Sequence, residues 1–394
     1  MNPSTAQIRF WGVRGSTPTV DQATWRYGGN TPCLELITPG GARFILDCGT
    51  GVRALGNHLA GVNGAPTNTV TPLHAHIFLT HYHWDHIQGI PFFSPLYSPF
   101  NKFHFYSYRS KFLGRDSLKQ VFETQMAYPY FPVDVSAMTA EREFTEISGG
   151  DSLQIEDAKI TMFWLNHPQG CLGFRFETSA GTIAYSTDNE PGNPELDANL
   201  LQLAHDADIF INDAQYTPEQ LAGPRRGWGH SSWLAGAQVA REAGARNLVL
   251  FHHDPDHSDK DVDGLLRHAR QHFENVYAAT EGMAMGFGAK DAAVILPEGR
   301  SGHHRDGNLR AVVTGYTSDG RAFQEQTVIR DLTLQGALLY LAHSPRLQSE
   351  LQVEMGDPGK ESPAEHPMHL RGYVVKLEPG PRADQTAVGV VFTE

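Results

Sequence analysis

The sequence predicts an α/β domain followed by a small all-β barrel, and three observations carry that expectation. The chain has 394 residues, long for one ordinary small domain, which favours two. Up to Leu296, short strand-like apolar runs are mixed with helical stretches, whereas beyond it six strand-like runs follow one another with only turns between them. Between the two regimes, Pro297-Glu298-Gly299-Arg300-Ser301-Gly302 reads as a linker, which puts the domains at 1–298 and 303–394.

The first domain opens with Ile8 to Val13, Cys33 to Thr38 and Arg43 to Asp47, separated by Gly28-Gly29-Asn30 and Pro39-Gly40-Gly41. Short strands joined by tight turns form a β-meander. Asp47 closes the third strand and, with Gly49 and Gly51, leads into a helix from Val52 to Leu59. It is either a turn residue or an acceptor behind a ligating histidine. A buried strand, His76 to Leu79, then runs into Thr80-His81-Tyr82-His83-Trp84-Asp85-His86. In extended backbone His81 and His83 project to one side and can share an ion, and a turn after Trp84 swings Asp85 and His86 toward a second ion. Ile87 to Ile90 reads as one helical turn.

Pro91 to Phe131 contains thirteen aromatic residues. These either wall a pocket that stacks on a planar ligand, or pack on the sheet or across a homodimer interface. Strands follow at Ile160 to Leu165, Leu172 to Glu177, Thr182 to Ser186 and Asp208 to Ile211. His167, Asp188 and His252 each come directly after an apolar run, repeating the placement of the first cluster. His230 precedes a helix from Trp233 to Ala243, capped by Ser231 or Ser232, and sits where a helix dipole favours an anionic substrate and a proton donor. Arg225 and Arg226 lie just upstream, facing either phosphate or solvent. His253, Asp254, Asp256 and His257 crowd His252 ahead of a helix from Asp259 to Phe273.

The formal charge of −13 argues against broad electrostatic binding to nucleic acid, but not against a small phosphorylated ligand, because bound cations supply local positive charge. There is no apolar run of membrane-spanning length and no basic-then-apolar leader, and Cys33, Cys48 and Cys171 are odd in number. A cytoplasmic protein with buried thiols, no membrane partner and a homodimeric state is the expectation.

The ordered set His81-x-His83-x-Asp85-His86, His167, Asp188 and His252 resembles the metallo-β-lactamase superfamily over Ile8 to Leu296. The resemblance implies an αββα sandwich with a two-metal site at its edge. Carried onto matching positions, His81, His83 and His167 would bind one divalent ion, Asp85, His86 and His252 the other, and Asp188 would bridge them. Ile8 to Ser16 and Arg26 to Thr31 look like the branch containing ribonuclease Z and small cyclic phosphodiesterases, in which the residue matching His230 is catalytic. Two features depart from ribonuclease Z: Trp233-Leu234-Ala235-Gly236 offers no Glu after His230, and there is no inserted basic arm. In the C-terminal barrel, Asp331-Leu332-Thr333-Leu334-Gln335-Gly336 is similar to the turn motif of PilZ domains, which implies cyclic di-GMP as a ligand. Thr333 stands where that family has Ser, and Arg305 and Arg310 are one residue too far apart, so the expectation is a PilZ-like structural module that binds no nucleotide.

These readings converge on a hydrolase for a small phosphodiester, including cyclic nucleotides, in which two metals activate a hydroxide and His230 and Asp85 are the catalytic residues. Imidazole and carboxylate ligands suit zinc, and also manganese or iron. Three alternatives stand beside it: an ester, thioester or lactone hydrolase, a ribonuclease, and a nucleotide sensor acting through the barrel.

Overall fold

Phe44 and Phe78 point one way from their strands while Ile45 and Ile77 point the other, and this alternation decides the layers of the first unit. The structure, a computed structural model, describes residues 5–61, 72–113, 116–288, 293–295, 305–332, 336–355, 368–382 and 384–393. Its chain divides into two units, Met1–Val294 and Ile295–Glu394.

Among the described residues the first unit has fifteen strands in chain order: β1 Ala6–Gly12, β2 Cys33–Ile37, β3 Arg43–Leu46, β4 His74–Phe78, β5 Lys102–Tyr108, β6 Glu141–Ile147, β7 Ser152–Ile155, β8 Ala158–Leu165, β9 Cys171–Thr178, β10 Gly181–Ser186, β11 Ile209–Asp213, β12 Leu248–Phe251, β13 Val276–Ala278, β14 Ala284–Phe287 and β15 Ala293–Ile295. One sheet runs β15-β14-β1-β2-β3-β4-β5-β6, the other β13-β12-β11-β10-β9-β8-β7. The meander predicted from the glycine turns is β1-β2-β3, antiparallel throughout. From β3 to β6, and from β10 to β13, neighbours are parallel.

Between the sheets Phe44 and Phe78 meet Phe174 and Phe176 of β9, with ring centroids 5.2 to 5.7 Å apart. All four rings are buried, and burial of each contributes about 1.5–3 kcal/mol. On the outer face of the first sheet, Ile45, Ile77 and Phe105 pack with Val52 and Leu55 of helix α1 (Gly51–Leu59) and Phe122 of a second helix, Ser117–Gln125. On the other outer face Ala184, Phe210, Leu248 and Leu250 pack with the helices Pro194–Ala204, Trp233–Glu242 and Asp259–Ala269. The first unit is therefore an αββα sandwich, as the motif resemblance implied. Strands buried on both faces need continuous apolar runs, which is why they stood out in the sequence.

Among the described residues the second unit has six strands: β16 Arg305–Tyr316, β17 Ala322–Leu332, β18 Gly336–Leu341, β19 Glu350–Met355, β20 Met368–Pro379 and β21 Thr386–Phe392. They close in the order β16-β17-β18-β21-β20-β19 around Val313, Ile329, Leu339, Leu351, Val353 and Val388. Closure leaves no open sheet edge. All six strand-like runs read beyond Leu296 become strands of this barrel.

Several expectations need correction. The helical turn after the histidine cluster spans Trp84–Ile87 rather than Ile87 to Ile90, so Asp85 and His86 lie inside it, turned by a helix that starts at His83. Of the thirteen aromatic residues, Phe93, Phe103, Phe105 and Phe122 are core and cannot wall a pocket, because β5 is covered by the Ser117–Gln125 helix. Phe92, Phe100, Phe112, Tyr128 and Tyr130 are exposed. The strand read as Asp208 to Ile211 extends to Asp213, and the helix read to Phe273 ends at Ala269. The linker and Thr333 to Gln335 lie outside the described residues; Asp331 and Leu332 belong to β17 rather than to a turn. Cys33, Cys48 and Cys171 are free and buried. Among the described residues, no helix is long and apolar enough to cross a membrane.

Candidate metal centre

Parallel pairing brings the C-terminal ends of β3 and β4, and of β10, β11 and β12, to one edge of the sandwich. The polar residues that follow these strands therefore converge: Asp47 after β3, His81 to His86 after β4, Asp188 after β10, Asp213 ending β11 and His252 after β12. His167 joins them from the end of β8, which runs in the sense of β10 because both are antiparallel to β9.

Three sets of ligand-capable atoms result, each within 4.8 Å of one another: His81, His83, His167 and Asp188 in the first, Asp85, His86, His252 and Asp188 in the second, and a third, Asp188, Asp213, His230 and His252, that draws Asp188 and His252 from the second. In the first, His83 Nδ1 lies 3.1 Å from His167 Nε2, and Asp188 Oδ2 lies 3.5 Å from His81 Nε2 and 3.7 Å from His167 Nε2. In the second, His86 Nε2 and His252 Nε2 are 3.3 Å apart, and Asp188 Oδ1 lies 3.3 and 3.2 Å from them. Asp85 Oδ2 completes it at 3.4 Å from His86 and 3.2 Å from His252. Four donors about 2.0–2.1 Å from a tetrahedral cation stand about 3.3 Å from one another. The first two sets have that spacing, with Asp188 giving one oxygen to each. His81 Nε2 is buried and makes no hydrogen bond, the condition of a lone pair waiting for a cation.

The remaining ring nitrogens are held from behind. His86 Nδ1 donates to Asp47 Oδ2 at 3.0 Å, His167 Nδ1 to the Gly229 carbonyl at 2.8 Å and His252 Nδ1 to Gln215 Oε1 at 2.9 Å. These bonds turn each Nε2 lone pair inward. Asp47 is buried and also accepts from the Thr80 amide and hydroxyl and from the Tyr185 hydroxyl. Of its two readings, the acceptor behind a histidine is the one the structure shows. Asp47, Asp188 and His252 have φ of +59, +47 and +61°. Left-handed backbone costs a non-glycine residue about 1–3 kcal/mol, and three such residues cluster here. Gly229 has φ +86°, and a Cβ there would lie 2.3 Å from His167 Nδ1.

Burial pushes His81 well below the usual histidine range and His167 down to about 4, the neutral forms a ligand needs. Burial would raise Asp85 and Asp188, but the surrounding imidazoles outweigh it and hold both ionised. Burial would likewise lower His86, yet Asp85, Asp188 and Asp47 raise it well above the ordinary value. That surplus of carboxylate charge is what divalent cations would neutralise. Burial raises the Cys171 thiol, and it is not in any of the sets.

His230 stands beside the first two sets. It is buried, its ring lies 5.0 Å from that of His252 at 20° and 5.4 Å from that of His167, and its Nδ1 donates to Asp213 Oδ2 at 2.9 Å. Burial would lower its pKa, but Asp213 outweighs this and raises it to about 9. Ser232 is the helix cap, accepting from the Ala235 amide. Of the remaining nearby residues, His253 Nε2 donates to the Ala279 carbonyl, and the His257 backbone carbonyl accepts from Arg14; neither joins a ligand-capable set. Arg226 is exposed, and Arg225 is half-buried.

Asp213, Gln215 and Gly229 escaped the sequence reading. Asp213 had a usable signal, since it too ends a strand. Gln215 and a glycine carbonyl had none, because their role depends on which histidine faces them.

An αββα sandwich whose strand ends gather two ligand-capable sets on one shared carboxylate has the architecture of a protein with a divalent-metal site at its edge. Residues 42–253 match the beta-lactamase superfamily domain, and the chain belongs to that family. The chain is similar to ribonuclease Z of Methanosarcina acetivorans, 27% identical over 321 residues, 71% of this chain and 97% of the relative. It is also similar to ribonuclease Z of Archaeoglobus fulgidus, 23% identical over 71% of this chain and 97% of the relative. In fold it is similar to the metallo-beta-lactamase fold protein YhfI from Bacillus subtilis, with TM-score 0.53, 18% identity and coverage of 72% of this chain and 99% of that one. A diphosphatase from the PhnP family gives 0.52 and 18%, covering 72% and 97%.

Proposed function

We propose that this protein is a phosphodiesterase requiring two divalent metals and acting on a small phosphodiester, cyclic nucleotides included. The observation that carries the reading is His230, paired to Asp213 at 2.9 Å beside two ligand sets that share Asp188. His81, His83 and His167 would hold one cation, Asp85, His86 and His252 the other, and Asp188 both. Cations held there would supply an activated water as nucleophile and offset charge on the phosphate oxygens. The tetrahedral spacing and imidazole donors suit zinc, and manganese and iron share the donor preference.

The chain's own groups do the rest. Asp213 holds the Nδ1 proton of His230, fixes the ring, and stabilises the imidazolium that protonates the leaving alkoxide. Asp85 accepts the Ser16 amide on Oδ2 at 2.7 Å, which holds its carboxylate in place.

A ribonuclease is the second reading, favoured by the relatives named ribonuclease Z that the chain covers almost completely. The net charge of −13 weighs against gripping a polyanion. For the barrel we keep the structural reading, in a cytoplasmic homodimer: the intact chain should bind no cyclic di-GMP in calorimetry. Saturable micromolar binding lost on Arg310→Ala overturns that.

Metal-loaded protein assayed against bis(p-nitrophenyl) phosphate, cyclic nucleotides, tRNA precursors, thioesters and lactones tests the main reading. Hydrolysis of small phosphodiesters supports it. Turnover of thioesters or lactones alone overturns it.

A further inference from the structure

Arg14, Arg26, Arg43, Arg109, Arg175 and Arg246 each face a carboxylate. Arg225, like Arg9 over Trp11, has no carboxylate paired with it among the described residues, but Arg225 alone of the two lies over two rings beside the candidate site. Its Cζ lies 4.4 Å from the ring centroid of Trp228, which is exposed, and 5.7 Å from that of Tyr216. Tyr216 in turn meets His230 edge-on at 5.7 Å. A single ring therefore separates the guanidinium from the proposed proton donor.

The loop carrying Arg225 is held in place. Glu190 Oε1 accepts the Gly227 amide and Oε2 the Gly229 amide, each at 2.8 Å, bracketing Trp228. The Arg225 amide donates to the Gln220 carbonyl at 3.0 Å. Stacking occupies the faces of a guanidinium and leaves its N–H edges for in-plane bonds to an anion. A stacked, half-buried cation without its own counter-ion, in a chain of net charge −13, is a recognition element for a charge that arrives with the substrate.

We propose that Arg225 is a specificity-determining residue that binds a second anionic group, phosphate in character, on the leaving-group side of the scissile phosphodiester. The inference rests on the phosphodiesterase reading above and narrows its substrate class to phosphodiesters carrying a further phosphate. Trp228 and Tyr216 hold the guanidinium plane, and Glu190 positions the loop.

The test uses the metal-loaded full chain and three substrates: the dinucleotide TpT, its 5′-phosphorylated form pTpT and its 3′-phosphorylated form TpTp. The wild type should prefer one phosphorylated form over TpT by about tenfold or more in kcat/KM, the scale of a charge-assisted contact. Arg225→Ala should abolish that preference, and Arg225→Lys should retain part of it. Metal content is checked in each variant, and Arg225→Gln replaces the alanine variant if that one loses metal. A wild type without the preference, a preference surviving in Arg225→Ala, or a loss by one common factor on all three substrates overturns the assignment while leaving the phosphodiesterase reading intact. A preference for all dinucleotides over bis(p-nitrophenyl) phosphate that falls with Trp228→Ala and ignores Arg225 means base stacking instead, and also overturns it. A wild type inactive on every phosphodiester overturns both.

Discussion

Asp47 Oδ2 lies 3.0 Å from His86 Nδ1, on the side of the imidazole away from the candidate metal set. The same carboxylate accepts from Thr80 and Tyr185, so one buried group holds a ligand, the start of the ligand loop and the facing sheet together. Asp47→Ala strands several buried donors, each costing about 1–3 kcal/mol, and should lower metal affinity about 10–100-fold. Thermal unfolding with and without metal, alongside a competitive chelator titration, measures both. A variant with wild-type stability and affinity would contradict the role.

Asp188 offers one oxygen to each set, so its loss should be felt at both. Protein purified without chelator should contain close to two equivalents of metal by elemental analysis. Asp188→Ala should retain well under one, whereas His83→Ala should retain about one. Chelation should lower the melting temperature, since a ligand that binds only the folded state stabilises it. A fully active metal-free enzyme would refute the two-metal reading.

His230 Nδ1 is taken up by Asp213 and stands 3.9 Å from Asp188, outside the two sets proposed to hold metal, so His230→Ala should keep its metals and lose rate, about 10²- to 10⁴-fold with an alkoxide leaving group. A nitrophenolate leaving group needs little protonation and should be far less sensitive. Asp213→Asn should follow the same pattern more weakly. Equal losses on good and poor leaving groups would exclude a general acid at this position.

Burial, helped by Arg14, holds His253 down at about 3, against an ordinary histidine value of 6.5. A group whose folded value is depressed contributes stability that is complete above its unfolded value and lost as pH falls. Metal-free protein should therefore weaken from about pH 6.5 downward, by about 1.4 kcal/mol per pH unit for each such imidazole. His253→Asn removes one titrating group, with His81 and His167 still depressed, and should reduce the slope of the stability profile between pH 6.5 and 4 by about 1.4 kcal/mol per pH unit. An unchanged profile would assign the acid sensitivity elsewhere.

The sequence by itself determined which polar residues gather at the sandwich edge and the strand framework that carries them. Strands buried on both faces must be apolar, so His81, His167, Asp188 and His252 appear as polar interruptions after apolar runs, and the six barrel strands announce themselves by the same local pattern. Tertiary structure alone decided which groups stand behind those ligands and what the aromatic segment does. Gly229 meets His167, Gln215 meets His252 and Asp47 meets His86 only because parallel register brings separate strand ends to one edge. Phe103 and Phe105 became core and Trp228 a shelf for Arg225 through the placement of one helix and one clamped loop. Local windows record the periodicity of a strand, but which side chain faces which ligand is set by strand order and register, and these are properties of the assembled sheets.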